Sequence, residues 1–201
     1  MASNTPTHEA PTRRNYIEGG AGVVIGGLLA GCIGDRAQSS TDDTAGQSYS
    51  VTMEPVGRVE FDTIPESWLA MTAGYADMGV ALGKQPPEGI TTTSRYHTHH
   101  YDDISGISVD TENLIELNNE GIDKELLYSL DVDLHVFDPN FLTNRIKNLS
   151  KSDIEEIESR VSPFIGNTIF SRQYSWHDGY PYYTMYEAFE KIAEVFQEQS
   201  R

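Results

Sequence analysis

Short β-prone runs alternate with helix-like segments from Tyr49 to the end of the chain, and that alternation most constrains the fold. Such a pattern predicts an α/β domain, a layered sheet with flanking helices. Tyr49–Met53 and Arg58–Phe61 are two β-prone pieces split by Pro55-Val56-Gly57. Gly89–Thr93 is a β-branched run, and Glu112–Leu117 fits a short strand or a helical turn. Asp133-Leu134-His135-Val136-Phe137 reads as a buried strand stopped by Asp138-Pro139. A further short strand is expected near Asn167–Phe170.

The helical segments carry their own punctuation. Ser67–Leu82 places Leu69, Met71, Tyr75, Met78 and Leu82 mostly at helical spacing, with Gly74 as an interruption and Gly83 as the stop. Asp123 can cap a helix through Leu130, with Leu126, Leu127 and Leu130 on one face. Ser152-Asp153-Ile154-Glu155 reads as a capping box opening a helix to about Val161. Thr184–Glu187 is a second box, followed by the apolar stripe Met185, Phe189, Ile192 and Phe196. No glycine or proline stops that last helix before Arg201, so it is expected to run on to the end. Tyr96–Asp103 is polar and aromatic and reads as a loop.

Charge and composition narrow the function. The chain of 201 residues holds 31 acidic and 14 basic side chains, a formal charge of −17. That excludes a phosphate-binding surface for nucleic acid and a polybasic attachment to anionic lipid. A single cysteine excludes an intramolecular disulfide framework and any zinc site built on two or more thiolates. No apolar run reaches the roughly 18–20 residues of a membrane span.

Residues 1–32 read as an export address. Arg13-Arg14, followed by an aromatic and an aliphatic, has the form of a twin-arginine signal. A Gly-rich, mildly apolar stretch follows from Gly19 to Ala30, too short for a stable spanning helix. Leu29-Ala30-Gly31-Cys32 resembles a lipobox, in which the cysteine is lipidated, and that accounts for the lone thiol as an anchor. The competing reading makes Gly19–Ala30 a core segment and Cys32 a buried small hydrophobe. Residues 33–50 are a flexible polar tether, and residues 51–201 form the folded part. Removing residues 1–31 takes away two acidic and two basic side chains, so the mature charge stays at −17. Such a surface holds water and stays soluble at high salt, which fits a halophilic source; an ordinary acidic extracellular protein is the alternative.

The order of these features resembles a haloarchaeal substrate-binding lipoprotein of an ABC importer, of the class carrying iron–siderophore complexes, haem or cobalamin. The residues that carry the likeness are Val59-Glu60-Phe61, Trp68-Leu69-Ala70 and Tyr75 to Gly83. Lys124 to Val136, Pro163 to Asn167 and Glu187 to Ala193 complete it. The resemblance covers about Ser50 to Arg201 and implies the N-terminal lobe of a two-lobed clamp, ending in the helix that joins the lobes. Because a second lobe would follow that helix, the chain reads as truncated or as a piece. The resemblance implies a lipid-anchored protein on the outer face of the cytoplasmic membrane, partnered by an ABC permease and a small-molecule ligand. It implies no catalysis and no resident cofactor; an iron(III) complex, haem or cobalamin would be cargo.

Two segments offer ligand-binding side chains. Arg95 to Asp103 holds Tyr96, His97, His99, His100 and Tyr101, able to meet iron(III), a catecholate or an imidazole-seeking metal. In an extended loop His97 and His99 would point the same way and share a ligand. The bland alternative is a solvated polar loop. Tyr174 to Tyr183 holds Tyr174, Trp176 and Tyr180, whose faces suit a planar or catecholate ligand; a packed aromatic loop is the alternative. His135 reads as a core histidine, and Arg145 and Lys147 as surface cations able to reach an anionic siderophore. Two other functions remain open. One is an exported metal-binding protein or hydrolase using His97 and His99, although no nucleophile elbow or HExxH motif is present. The other is a surface interaction module with no small ligand.

Overall fold

A computed structural model describes residues 48–146, 148–170 and 174–198. Arg13, Arg14, Cys32, nearly all of the tether and Lys147 lie outside the described residues. No helix among the described residues is long and apolar enough to cross a membrane.

Strands β1 (Tyr49–Met53) and β2 (Gly57–Phe61) form an antiparallel hairpin with Val51 opposite Val59. Val51, Met53, Val59 and Phe61 are buried while Thr52 and Glu60 are exposed, so the period-two alternation sets the inward face. β1 already begins at Tyr49, within the stretch read as tether. Gly57 opens β2 at φ +92°, a conformation glycine adopts without steric cost.

The main sheet has four parallel strands, β3 (Trp68–Ala70), β4 (Gly89–Ile90), β5 (Ile115–Glu116) and β6 (Leu134–Val136), in the order β5-β4-β3-β6. Every residue of β3, β4 and β6 is buried, as expected of parallel strands covered on both faces. The α/β layered architecture expected from the sequence is therefore present. Helix α1 (Ala73–Ala81) links β3 to β4, and α2 (Lys124–Leu130) links β5 to β6. After β6 come α3 (Pro139–Phe141), a π-helical turn over Leu142–Ile146, α4 (Lys151–Arg160) and α5 (Met185–Val195).

Four expectations are corrected. Trp68–Ala70 is strand, with Met71 just beyond it, not the start of a helix. All four residues are buried, so the run has no polar face for a surface helix to show; α1 starts after Thr72. Gly74 consequently lies in the first turn of α1 rather than interrupting it. Gly83, at φ +76°, does stop α1. A Cβ on Gly79 would stand 2.4 Å from the Trp68 ring, so glycine is what lets α1 lie directly on β3.

The cap of α4 is Ser150, two residues before the expected Ser152. Ser150 Oγ accepts from the Asp153 amide, and the Asp153 carboxylate accepts from the Ser150 amide at 2.9 Å. The expected strand at Asn167–Phe170 is absent; pairing occurs earlier, where Phe164 bridges His135 in parallel. Finally, α5 ends at Val195. Gln197 takes φ +54°, its amide donates to Glu194 O at 3.2 Å, and Glu198 N donates to Ala193 O at 2.9 Å. Those bonds form a Schellman turn without glycine, which leaves no sequence signal. The stripe of α5 is largely covered: Ile192 and Phe196 are buried, Phe189 is half-buried, and only Met185 is exposed. Phe196 meets Trp68 edge-on at 5.6 Å.

His135 is fully buried in β6, stacked on Phe164 at 4.5 Å, with Nδ1 3.0 Å from Ser162 Oγ and Nε2 without a partner among the described residues. Burial pushes its pKa down from 6.5 to about 4, against smaller opposing backbone bonds at Ser162 and Pro163. The unfolded chain therefore takes up this proton first as pH falls. Stability from His135 is intact above about 6.5 and is lost toward about 4, a loss of roughly 3 kcal/mol. His135→Phe keeps the ring stack and removes the titration. Chemical denaturation from pH 7 to 4 should give a smaller fall in stability for the variant than for the parent; parallel curves would refute the assignment.

Candidate functional site

The sheet changes direction at β3. From β3 the chain steps outward through β4 and β5, then returns to the other side of β3 as β6. In parallel sheets a crevice opens outside the carboxyl ends of the strands at such a reversal. A cavity of about 570 Å³ lies there. Met71 follows β3, Thr91 and Thr92 follow β4, Asn118 lies beyond β5, and Phe141 stands on α3 beyond β6; all line it. Ile169, Phe170, Tyr174 and Met185 close the side toward α5.

The charge of this cavity opposes that of the chain. Arg95 and Arg145 line it, and its lining among the described residues holds no carboxylate, imidazole or thiol. Neither arginine has an ion-pair partner among the described residues, and both are exposed. The amino end of α1 adds to this bias. Ala73 and Gly74 line the cavity; Thr72 makes no side-chain cap bond, and no acidic residue sits in the first turn. By contrast α2, α4 and α5 are each capped by a side chain and carry an acid in the first turn. The free amides and the positive end of the α1 dipole thus face the cavity with two guanidinium groups. Arginine presents a planar fork that fits carboxylate and other oxyanion ligands.

One wall is aromatic. Tyr174 stacks on Trp176 at 4.3 Å and meets Phe141 edge-on at 5.9 Å. His177 stacks on Tyr180 at 4.1 Å and is hydrogen-bonded through Nδ1 to the Tyr182 hydroxyl. Burial lowers the His177 pKa, with Asp138 opposing it. The wall is fastened to the sheet by Asp138, fully buried one residue beyond Phe137 at the end of β6. Asp138 accepts from the Thr168 hydroxyl at 2.6 Å, from the Asn140 amide at 2.9 Å and from the Tyr180 hydroxyl. Burial first, and then the Asp138 charge, push the Tyr180 phenol far up, so it stays a donor. Asn167 completes the attachment through Nδ2, donating to Glu54 O and Pro181 O at 2.8 Å each.

Of the seven sequence candidates, Tyr174 alone lines the cavity. Trp176 and Tyr180 belong to the wall behind it. Tyr96 and Tyr101 are buried, and the Tyr101 hydroxyl donates to Asp77 Oδ1 at 2.6 Å. His97 and His99 are exposed, with ring centroids 6.2 Å apart; His99–Tyr101 is a 3-10 turn, not the extended loop that would align them. Among the described residues no group of three or more His, Cys, Asp or Glu side chains is placed to hold a metal ion. Arg145, read from the sequence as a surface cation able to reach an anionic ligand, lines the cavity. The Arg95 guanidinium and Asn118 were not singled out, and the amino end of α1 was missed because strand β3 was hidden inside a helical spacing.

No family model and no curated protein matches the chain. Among solved structures it is similar to the siderophore-binding protein BauB, bound to two acinetobactin molecules and ferric iron, at 19% identity and a TM-score of 0.48. That match covers 76% of this chain and 46% of BauB. SirA of Staphylococcus aureus, complexed with staphyloferrin B, aligns at 16% identity and a TM-score of 0.46, covering 74% of this chain and 43% of SirA. DesE, a ferric-siderophore receptor from Streptomyces coelicolor, aligns at 17% and 0.46, covering 75% and 47%. The chain thus spans less than half the length of each.

Tyr180→Phe removes one donor from a buried carboxylate, at a cost of about 1–3 kcal/mol. Hydrogen exchange should accelerate across residues 174–183 more than in β3 or β6. Uniform exchange in parent and variant would show that Asp138 does not fasten this wall.

Proposed function

We propose that the chain is a solute-binding lobe that takes an anionic chelate, of the ferric-siderophore type, and delivers it to an ABC permease. The observation that carries this reading is the cavity at the sheet reversal. It joins two arginines, without an ion-pair partner among the described residues, and a helix amino end without a side-chain cap in a chain of charge −17. A chelate with carboxylate or catecholate oxygens matches that charge, and its rings match the Phe141–Tyr174 wall. The iron class comes from the sequence resemblance, as do export through Arg13-Arg14 and lipid anchoring at Cys32 on the outer face of the membrane. The ligand is bound and released; no bond is made or broken. Tyr96, His97, His99 and Tyr101 then lie outside the chelate contact, while Tyr174 makes it and Trp176 and Tyr180 support it.

The test is a titration of the chain in high salt with ferric siderophores, haem, cobalamin and zinc, following tryptophan and tyrosine fluorescence. Saturable quenching by an anionic iron chelate is expected. Arg95→Gln and Arg145→Gln should each weaken it about tenfold or more, since hydrogen bonds to charged groups are the strong ones. Saturation by cobalamin alone, or affinities indifferent to both arginines, would overturn the reading. For the anchor, Cys32→Ser should move the protein from membranes to the soluble exported fraction, and Lys in place of Arg13 and Arg14 should keep it inside. Unchanged membrane attachment of Cys32→Ser would refute lipidation there.

A further inference from the structure

A second cluster of donors lies off the cavity, between α1 and the turn at His99–Tyr101. Asp77 projects from α1, and its Oδ1 accepts from the Tyr101 hydroxyl at 2.6 Å and stands 3.8 Å from His100 Nε2. The His100 and Tyr101 rings are 4.1 Å apart. The Tyr96 phenol belongs to the same group. It lies near enough to the Tyr101 hydroxyl and the Asp77 carboxylate to be influenced by both, yet its buried hydroxyl makes no hydrogen bond of normal geometry among the described residues. Tyr96 and Tyr101 are 7% and 8% exposed, whereas the side chains of Asp77 and His100 are 40% and 48% exposed, so the cluster has a buried floor and an open door.

We infer that Asp77, Tyr96, His100 and Tyr101 form a site for a bare hard cation, ferric iron, separate from the chelate cavity. Three anionic oxygens and one imidazole are a hard donor set, and hardness selects the metal. Charge supports the choice. With both phenols ionised, Asp77, Tyr96 and Tyr101 supply three negative charges to a trivalent ion, and His100 binds neutral through Nε2. The two phenolic protons leave to water as the two oxygen–iron bonds form; no electron is transferred. Donors of one ion at about 2.0–2.2 Å bonds stand roughly 3–4 Å apart, and the separations of 2.6 and 3.8 Å need only small shifts to meet that. Without a cation, burial and the neighbouring Asp77 carboxylate hold both phenols up, Tyr96 at about 12. A bound cation inverts that relation, because the charges that repel each other are then drawn to it. A buried hydroxyl without a well-formed hydrogen bond is costly, and ligation gives the Tyr96 oxygen a partner that it lacks among the described residues.

The test is a titration of the full chain at pH 7 with ferric nitrilotriacetate, whose iron keeps open positions. A visible phenolate-to-iron charge-transfer band, saturating at one iron per chain, is expected. Tyr101→Phe and Tyr96→Phe, each lacking one oxygen, should weaken or shift the band, and Asp77→Asn should reduce affinity at least tenfold; circular dichroism checks their folding. Zinc and magnesium should not compete at equal concentration. No band, or a band unchanged in both Phe variants, would overturn the inference. The two proposals fail separately. Arg95→Gln and Arg145→Gln should leave the band intact, and Tyr101→Phe should leave siderophore quenching intact.

Discussion

Asp138 is the group on which the architecture around the cavity depends. A buried carboxylate is tolerable only when its oxygens are supplied with donors, and here they come from three different segments. The Asn140 amide belongs to α3, the Thr168 hydroxyl to the irregular segment that follows Phe164, and the Tyr180 hydroxyl to the aromatic wall. Because each donor must be present for the charge to stay buried, the positions of α3, the outer edge of the sheet and the wall are coupled. Tyr75 plays a similar neutral role on the other side, donating to Asn167 O at 2.7 Å and accepting from Asn167 N at 2.9 Å. α1 is thereby tied to the same wall.

Packing beneath that point is equally specific. Trp68 lies under Gly79 of α1 and against Phe196, which caps the carboxyl end of α5, and its indole nitrogen donates to Gln85 O at 3.1 Å. One ring thus fixes the height of α1 over the sheet. That height sets where the bare amino end of α1 points, and so where the positive potential of the cavity lies. Gly166 serves the opposite edge: a Cβ there would stand 2.6 Å from the Phe137 backbone, so the segment leading to Asn167 can approach β6 only as glycine.

Much of this fold was legible. The buried strand Leu134–Val136, the hairpin, the Asp123 cap and the Thr184–Glu187 box all have local signatures: alternation, apolar runs and side-chain acceptors two or three residues from their amides. The misreadings have separate causes. Trp68–Ala70 satisfied a helical spacing because a fully buried strand is apolar at every position and fits any period. Gln197 ended α5 in a left-handed conformation that only the closing bonds to Glu194 and Ala193 explain. For the site, Tyr174 and Arg145 were visible as residue types, but the role of Tyr101 changed once its hydroxyl proved to bond Asp77, and Tyr96 proved to be buried.

The sequence by itself determined the class of fold and the excess of acid, since these follow from local periodicity and composition. Tertiary structure alone decided which side chains meet. Arg95 and Arg145 are fifty residues apart along the chain and line one cavity only because β4 and β6 flank β3 in parallel, carrying both following loops to the same end of the sheet. Asp77 meets Tyr101 for a related reason: α1 and the loop after β4 leave neighbouring strands at that end. Strand order is set by which apolar faces bury one another, a long-range property that no local pattern encodes.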